Sequence, residues 1–125
     1  MTDSDANDPA VERLIRSIYA AFNARDVERV LAALGPDVDW PNVADGTRIH
    51  GHDAVRAYWT AQFAAIDPRV EPLALRPLAD GRVAVDVHQR IQALDGTLLH
   101  EEPVVHVYSF RDGLITRMDV ESPDV

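Results

Sequence analysis

Residues 55–68, VRAYWTAQFAAIDP, and residues 83–88, VAVDVH, are written in two different periods. In the first, Val55, Tyr58, Trp59, Gln62, Phe63 and Ile66 recur at intervals of three and four, the spacing of one helix face. Asp67-Pro68 ends that stripe, because a proline pushes the residue before it out of helical geometry. In the second, Val83, Val85 and Val87 alternate with Ala84, Asp86 and His88, as in a strand with one apolar face. Pro68 thus separates a mainly helical half of the chain from a mainly extended one.

Upstream, Asp8-Pro9 reads as a helix start, with a side-chain acceptor before a proline that has no N–H to lose. Val11, Leu14, Ile15, Ile18, Tyr19 and Phe22 then line one helix face. Asn23 to Asp26 interrupts the pattern, and Asp26 can cap a short second helix carrying Val27, Val30, Leu31 and Leu34 until Gly35-Pro36 stops it. Val38-Asp39-Trp40 reads as a short strand closed by Pro41-Asn42, and Val43 to Gly51 as a loop. Downstream, Val70 to Leu78 is a strand whose Pro72 and Pro77 suit an edge or a bulge. Asp80-Gly81 and Asp95-Gly96 are turns; Val104 to Phe110 and Leu114 to Val120 are strands joined through Arg111-Asp112-Gly113. The order α-α-β-α-β-β-β-β predicts an α+β fold, with three helices of the N-terminal half packed on a curved antiparallel sheet.

The 125 residues suit one domain, and a 46% hydrophobic content suits a globular one. With 12 basic and 21 acidic residues the chain carries −9, which disfavours nucleic acid and anionic membranes as partners. Asp3, Asp5 and Asp8 lie in residues 1–8, expected to be a disordered acidic leader, and 18 acids against 12 bases remain from Pro9 onward. Residues 9–122 form the expected domain and 123–125 a short tail. The absence of cysteine removes disulfides, thiolate metal sites and cysteine nucleophiles. No apolar run is long enough for a transmembrane helix, and the acidic start is unlike a secretory signal, so a cytoplasmic protein is the default.

Three segments carry a resemblance: residues 18–26 (IYAAFNARD), 50–59 (HGHDAVRAYW) and 106–118 (HVYSFRDGLITRM). On these the chain resembles the nuclear transport factor 2-like superfamily, specifically its SnoaL-like and ketosteroid isomerase-like members, over about residues 9–122. The resemblance implies a cone-shaped fold whose curled sheet encloses a deep apolar pocket closed by the first and third helices. It also implies isomerase, cyclase, hydrolase or dehydratase chemistry in some members, ligand binding alone in others, and frequent homodimers. Ketosteroid isomerases place a general-base aspartate just before a proline on the first strand, and a tyrosine and a protonated aspartate on the substrate oxygen. Here the base position holds Trp40, the tyrosine position holds Ile18 beside Tyr19, and the acid position holds His106. Steroid-type isomerisation by that route is therefore not expected.

Pairing about Asp95-Gly96 sets Val87 against Val104, Val85 against His106 and Arg90 against Glu101. A three-residue loop at Arg111-Asp112-Gly113 would set His106 against Met118 and Val104 against Val120, whereas a one-residue slip would oppose His106 to Asp119. In the first register Val83, Val85, Val87, Gln89, Val104, His106, Tyr108, Met118 and Val120 share the concave face. Asp86, His88, Arg90, Asp119 and Glu121 point outward, and Val105, Val107 and Ile115 offer a convex surface for a homodimer.

His106 is then the one outstanding polar group in an apolar lining, either an acid/base or a core histidine satisfied by a partner such as Tyr108 or Gln62. The expected ligand-binding residues are Ile18, Tyr19, Phe22, Trp40, Tyr58, Trp59, Phe63, Val85, Val87, Gln89, Val104, Tyr108, Met118 and Val120. His50, His52, His88, His100 and His106 invite a metal site, but three or four converging ligands are required and no such convergence is readable, so no metal or cofactor is expected. The expected function is that of a small-molecule pocket protein: an isomerase, cyclase, hydratase or hydrolase acting on a small hydrophobic carbonyl or cyclic compound through His106. The alternative is a non-catalytic binding or dimerisation module.

Overall fold

The computed structural model describes residues 9–43 and 45–123. The expected leader, its capping Asp8 and the last two residues of the tail lie outside the described residues. The elements run α1 (Pro9–Asn23), α2 (Val27–Leu31), β1 (Leu34–Asn42), β2 (Thr47–His50), α3 (His52–Ala65), β3 (Asp67–Pro77), β4 (Val83–Gln92), β5 (Leu98–Arg111) and β6 (Leu114–Glu121). The sheet order is β2-β1-β6-β5-β4-β3, and helices precede most of the strands, an α+β arrangement.

Helix α1 buries Ile15, Ile18, Tyr19 and Ala21, its predicted face, and Asp26 caps α2 by accepting from Arg29 N–H. Asn23 ends α1 and completes a strand: its side-chain amide donates to Val70 O at 2.7 Å, and its amide oxygen accepts from Val70 N–H at 3.0 Å. One polar side chain thereby pins the helix terminus to β3. Strand β3 is the sheet edge, with a bulge between Pro72 and Ala74, as its prolines require.

Two parts of the first half differ from expectation. Leu34, Gly35 and Pro36 belong to β1, and α2 ends earlier, at Leu31. Residues 47–50, expected as loop, form β2, paired with Asp39 to Asn42. The pairing is held by Arg48, which donates to Asp39 Oδ1 at 2.6 Å and Asp119 Oδ1 at 3.1 Å, and to the carbonyls of Asp39 and Met118. One guanidinium thus ties β2 to β1 and β6, and such convergence is invisible to local pattern. The same geometry makes the sheet mixed, since β1 runs parallel to β6. Arg48→Met should lower urea-unfolding stability by about 1–2 kcal/mol, because two carbonyls and two half-buried carboxylates lose their donor. Arg56→Met, whose partners Glu28 and Asp53 are exposed, should leave the midpoint unchanged.

The β4–β5 register is the expected one, with Val87 opposite Val104 and Val85 opposite His106. Arg90 does lie opposite Glu101, but the Glu101 carboxylate meets His88 Nε2 at 2.7 Å. The last hairpin differs. Asp112 and Gly113 both take positive φ (55° and 81°), a two-residue turn that pairs Arg111 with Leu114. A bulge then leaves Thr116 unpaired, so that Ser109 meets Arg117 and His106 meets Val120 instead of Met118. The turn and the bulge each displace the register by one residue. Two displacements restore parity, and His106, Tyr108, Met118 and Val120 therefore remain on one face.

Between turn and bulge the parity is reversed, which sends Ile115 into the core instead of onto the convex surface. Val105 and Val107 lie on the convex face but are buried within the single chain, in a small cluster with Ala84 and Leu78.

Candidate functional site

The main core and a cavity share the concave side of the sheet. The cavity has a volume of about 180 Å³. An engineered cavity of about 150 Å³ accepts benzene, so this one suits a compound of one or two rings. From α1 it is lined by Ile18, Tyr19 and Phe22, from β1 by Trp40 and Pro41, and from α3 by Tyr58, Trp59 and Gln62. The β3–β6 side supplies Pro68, Val70, Gln89, Val104, His106, Tyr108, Met118 and Val120. Most of the expected ligand-facing residues thus meet at one place. Phe63 packs on Phe22 at 5.1 Å instead, and Val85 and Val87 are buried in the core beneath the cavity lining.

Aromatic rings build the walls. Trp40 meets Trp59 edge to face at 5.2 Å, and Phe22 meets Trp59 edge to face at 5.7 Å. Such pairs hold large side chains in fixed orientation against an open space. Trp40 is both buried and lining, so it serves as core and wall together. Burial raises the pKa of Tyr58.

The polar group at the bottom is His106, 8% exposed. Its Nδ1 lies 2.7 Å from the hydroxyl of Tyr19, which in turn lies 2.7 Å from the hydroxyl of Tyr108. The direction of these bonds follows from counting donors. Tyr108 is buried, and Tyr19 is its one hydroxyl partner among the described residues, so Tyr108 must donate to Tyr19 or leave an O–H unsatisfied. Tyr19 then has its own proton for Nδ1, which accepts. A neutral imidazole accepting at Nδ1 carries its proton on Nε2. The Nε2–H has no protein acceptor among the described residues and is left as a donor in the lining of the cavity.

Burial also decides the charge. It lowers the His106 pKa to about 4, so the ring is neutral at physiological pH. Burial raises both tyrosines, Tyr19 and Tyr108, and neither ionises there. The floor of the cavity therefore offers a fixed, uncharged hydrogen-bond donor. That arrangement can polarise a carbonyl oxygen and stabilise negative charge developing on it. With Nδ1 engaged and a low pKa, the imidazole is a poor proton acceptor.

Reading the sequence placed Tyr19 on the wall but not as the partner of His106. The signal was present in the α1 stripe, yet only packing shows which wall residues touch. Glu102 also lines the cavity and was missed. Counting back by twos from His106 along β5 would have found it on the same face.

The remaining histidines are dispersed. His50 is exposed, 3.6 Å from Asp39; His52 Nε2 meets Leu34 O at 2.9 Å; His100 Nε2 lies 3.1 Å from Glu102. Among the described residues no three acidic or imidazole groups converge as a metal site requires.

A family model for the SnoaL-like domain matches residues 15–118. Among curated proteins, none matches the sequence. Solved structures match closely in shape. TerC, co-crystallised with polyporic acid, superposes with a TM-score of 0.76 at 27% identity, covering 89% of each chain. An NTF2-like protein from Burkholderia pseudomallei gives 0.76 at 27% identity over 98% of this chain and 92% of that one. A Mycobacterium tuberculosis protein in complex with estradiol-17beta-hemisuccinate gives 0.74 at 26% identity over 93% and 92%.

Proposed function

The chain belongs to the SnoaL-like domain family, and from that premise we propose that it takes a small hydrophobic carbonyl or cyclic compound into the cavity, with the ligand oxygen on His106 Nε2–H. The reaction class is one in which negative charge builds on that oxygen: isomerisation, cyclisation, hydration or hydrolysis. The carrying observation is the Tyr108–Tyr19–His106 chain, which leaves a neutral imidazole in the cavity lining with Nε2–H as its remaining donor. The small molecules bound by TerC and by the Mycobacterium protein support the use of the cavity for ligands.

A second reading is a binding module without turnover. It is favoured by the lining itself, where no carboxylate lies beside His106 on its strand; the nearest one on that face, Glu102, is four residues away. Self-association through the convex face has less support, since Ile115 lies inside and Val105 and Val107 are covered within one chain. A sedimentation mass at micromolar concentration decides it. No helix of the described residues is long and apolar enough to cross a membrane, and action in the cytoplasm is part of the proposal.

The test uses para-acetylbiphenyl as ligand. On binding, its carbonyl stretch should move to lower frequency, and the move should vanish in His106→Leu, whose side chain has no donor. Stabilising that charge should also accelerate exchange of the methyl-ketone protons in deuterium oxide, the proton leaving to solvent base and a deuteron returning from solvent, read by NMR. A frequency shift without exchange selects the binding-only reading; binding with no shift removes His106 from both.

A further inference from the structure

The cavity is polar at two places that β5 sets a fixed distance apart. His106 and Glu102 lie on the same face of one strand, four residues from each other, or about 13 Å along it. Val104 sits between them, buried and apolar, and lines the same cavity. Opposite Glu102 on β4 is Gln89, which also lines the cavity. The two ends differ in every physical respect. The His106 end is buried, neutral and offers a donor. The Glu102 end is exposed and carries a carboxylate that lies 3.1 Å from His100 Nε2. Glu102 is the one lining residue, among those described, with a formal charge at neutral pH, and no lysine or arginine lines the cavity.

Resting on the reading of this cavity as a small-molecule site, we infer that its ligand is bipolar: an acceptor oxygen at His106, an apolar ring system along Val104, and an ammonium or other hydrogen-bond-donating group at Glu102. A carboxylate at that outer end meets the like charge of Glu102 with no cation in the lining to offset it. An ammonium meets an opposite charge there, and Gln89 can take a second hydrogen bond from it. The net charge of −9 adds to the same preference but does not locate it.

Three matched compounds test this at about pH 8, where both charged forms persist: para-acetylbiphenyl bearing an aminomethyl, a methyl or a carboxylate group at the far para position. Binding is followed by quenching of Trp40 and Trp59, which line the cavity. The aminomethyl compound should bind about tenfold more tightly than the carboxylate, with the methyl compound between them. Glu102→Gln should compress that ratio to about threefold or less, whereas Glu12→Gln, an equal charge change on exposed α1, should leave it intact. Equal binding of the charged pair by the parent, while the methyl compound binds, overturns the bipolar ligand and leaves the cavity reading standing. A ratio that survives Glu102→Gln, or falls equally in Glu12→Gln, overturns the assignment to Glu102. Failure of all three compounds to bind overturns the cavity reading, and this inference with it.

Discussion

Lowering the pH from 7 to 4.5 should remove about 2 kcal/mol of folding stability through His106 alone. The imidazole is neutral in the folded chain, with its pKa lowered by burial to about 4, against about 6.5 when unfolded. Between those values the unfolded chain binds a proton that the folded chain does not, so stability rises with pH at about 1.4 kcal/mol per unit. The contribution is fully present above about pH 6.5 and is lost as the pH falls toward 4. The carboxylates held low by hydrogen bonds, such as Asp119 beside Arg117 and Asp80 at Arg82 N–H, act in a different window. Their stabilisation is present above the ordinary carboxylate range and is lost only as the pH falls through and below it. The difference in slope between the parent and His106→Gln from pH 5 to 7 therefore isolates the histidine. His106→Gln should flatten the slope, and an unchanged slope in that variant would place the proton uptake elsewhere.

The second large effect concerns Tyr19. Tyr19→Phe removes the hydroxyl at the centre of the chain and orphans two buried groups, the Tyr108 hydroxyl and His106 Nδ1. Each such group costs about 1–3 kcal/mol, so the variant should lose about 2–6 kcal/mol. Tyr108→Phe removes only the first donor. Tyr19 keeps its bond to Nδ1, and the loss should be about 1 kcal/mol. The double variant is the decisive measurement. Once Tyr19 is phenylalanine, the Tyr108 hydroxyl is a buried donor without an acceptor, and deleting it should restore about 1 kcal/mol. A double variant less stable than Tyr19→Phe would mean that Tyr108 has another partner. The carbonyl shift of bound para-acetylbiphenyl supplies an independent readout, because loss of the Tyr19 proton frees Nδ1 to compete with Nε2 for the imidazole proton.

Much of the architecture follows from residue spacing. The 3.6 period of residues 55–66 and the alternation at 83–88 mark a helix and a strand whatever surrounds them, since each pattern is one buried face of a regular element. Pro72 and Pro77 announce an edge strand because a ring without N–H cannot serve a central ladder. The Asp95-Gly96 turn and a bulge between Ile91 and Gln92 together set β4 against β5 so that Val85, Val87, Val104 and His106 share one face. For the same reason, the apolar cavity and its single histidine were readable.

Residues 43–51 were not readable as a strand, because what makes Thr47–His50 extended is Arg48 reaching Asp119, distant in sequence. In the final hairpin the two-residue turn and the bulge at Thr116 both depart from the three-residue loop that Arg111-Asp112-Gly113 suggests. The face survived because a bulge and a turn each count as one residue and side chains alternate with period two. Ile115, caught between them, took the opposite face.

Residue spacing and type are enough for the order of every element but β2, the acidic exterior, the aromatic and apolar lining and the presence of one inward histidine. These depend on local periodicity and on which residue types avoid water. What that histidine bonds to depends on tertiary packing. Tyr19 comes from α1 and Tyr108 from β5, and a hydrogen bond of 2.7 Å between elements so far apart in the chain depends on how the helix is seated on the sheet. Seating is a property of the whole packed core, and on it rest the tautomer of His106 and its neutrality.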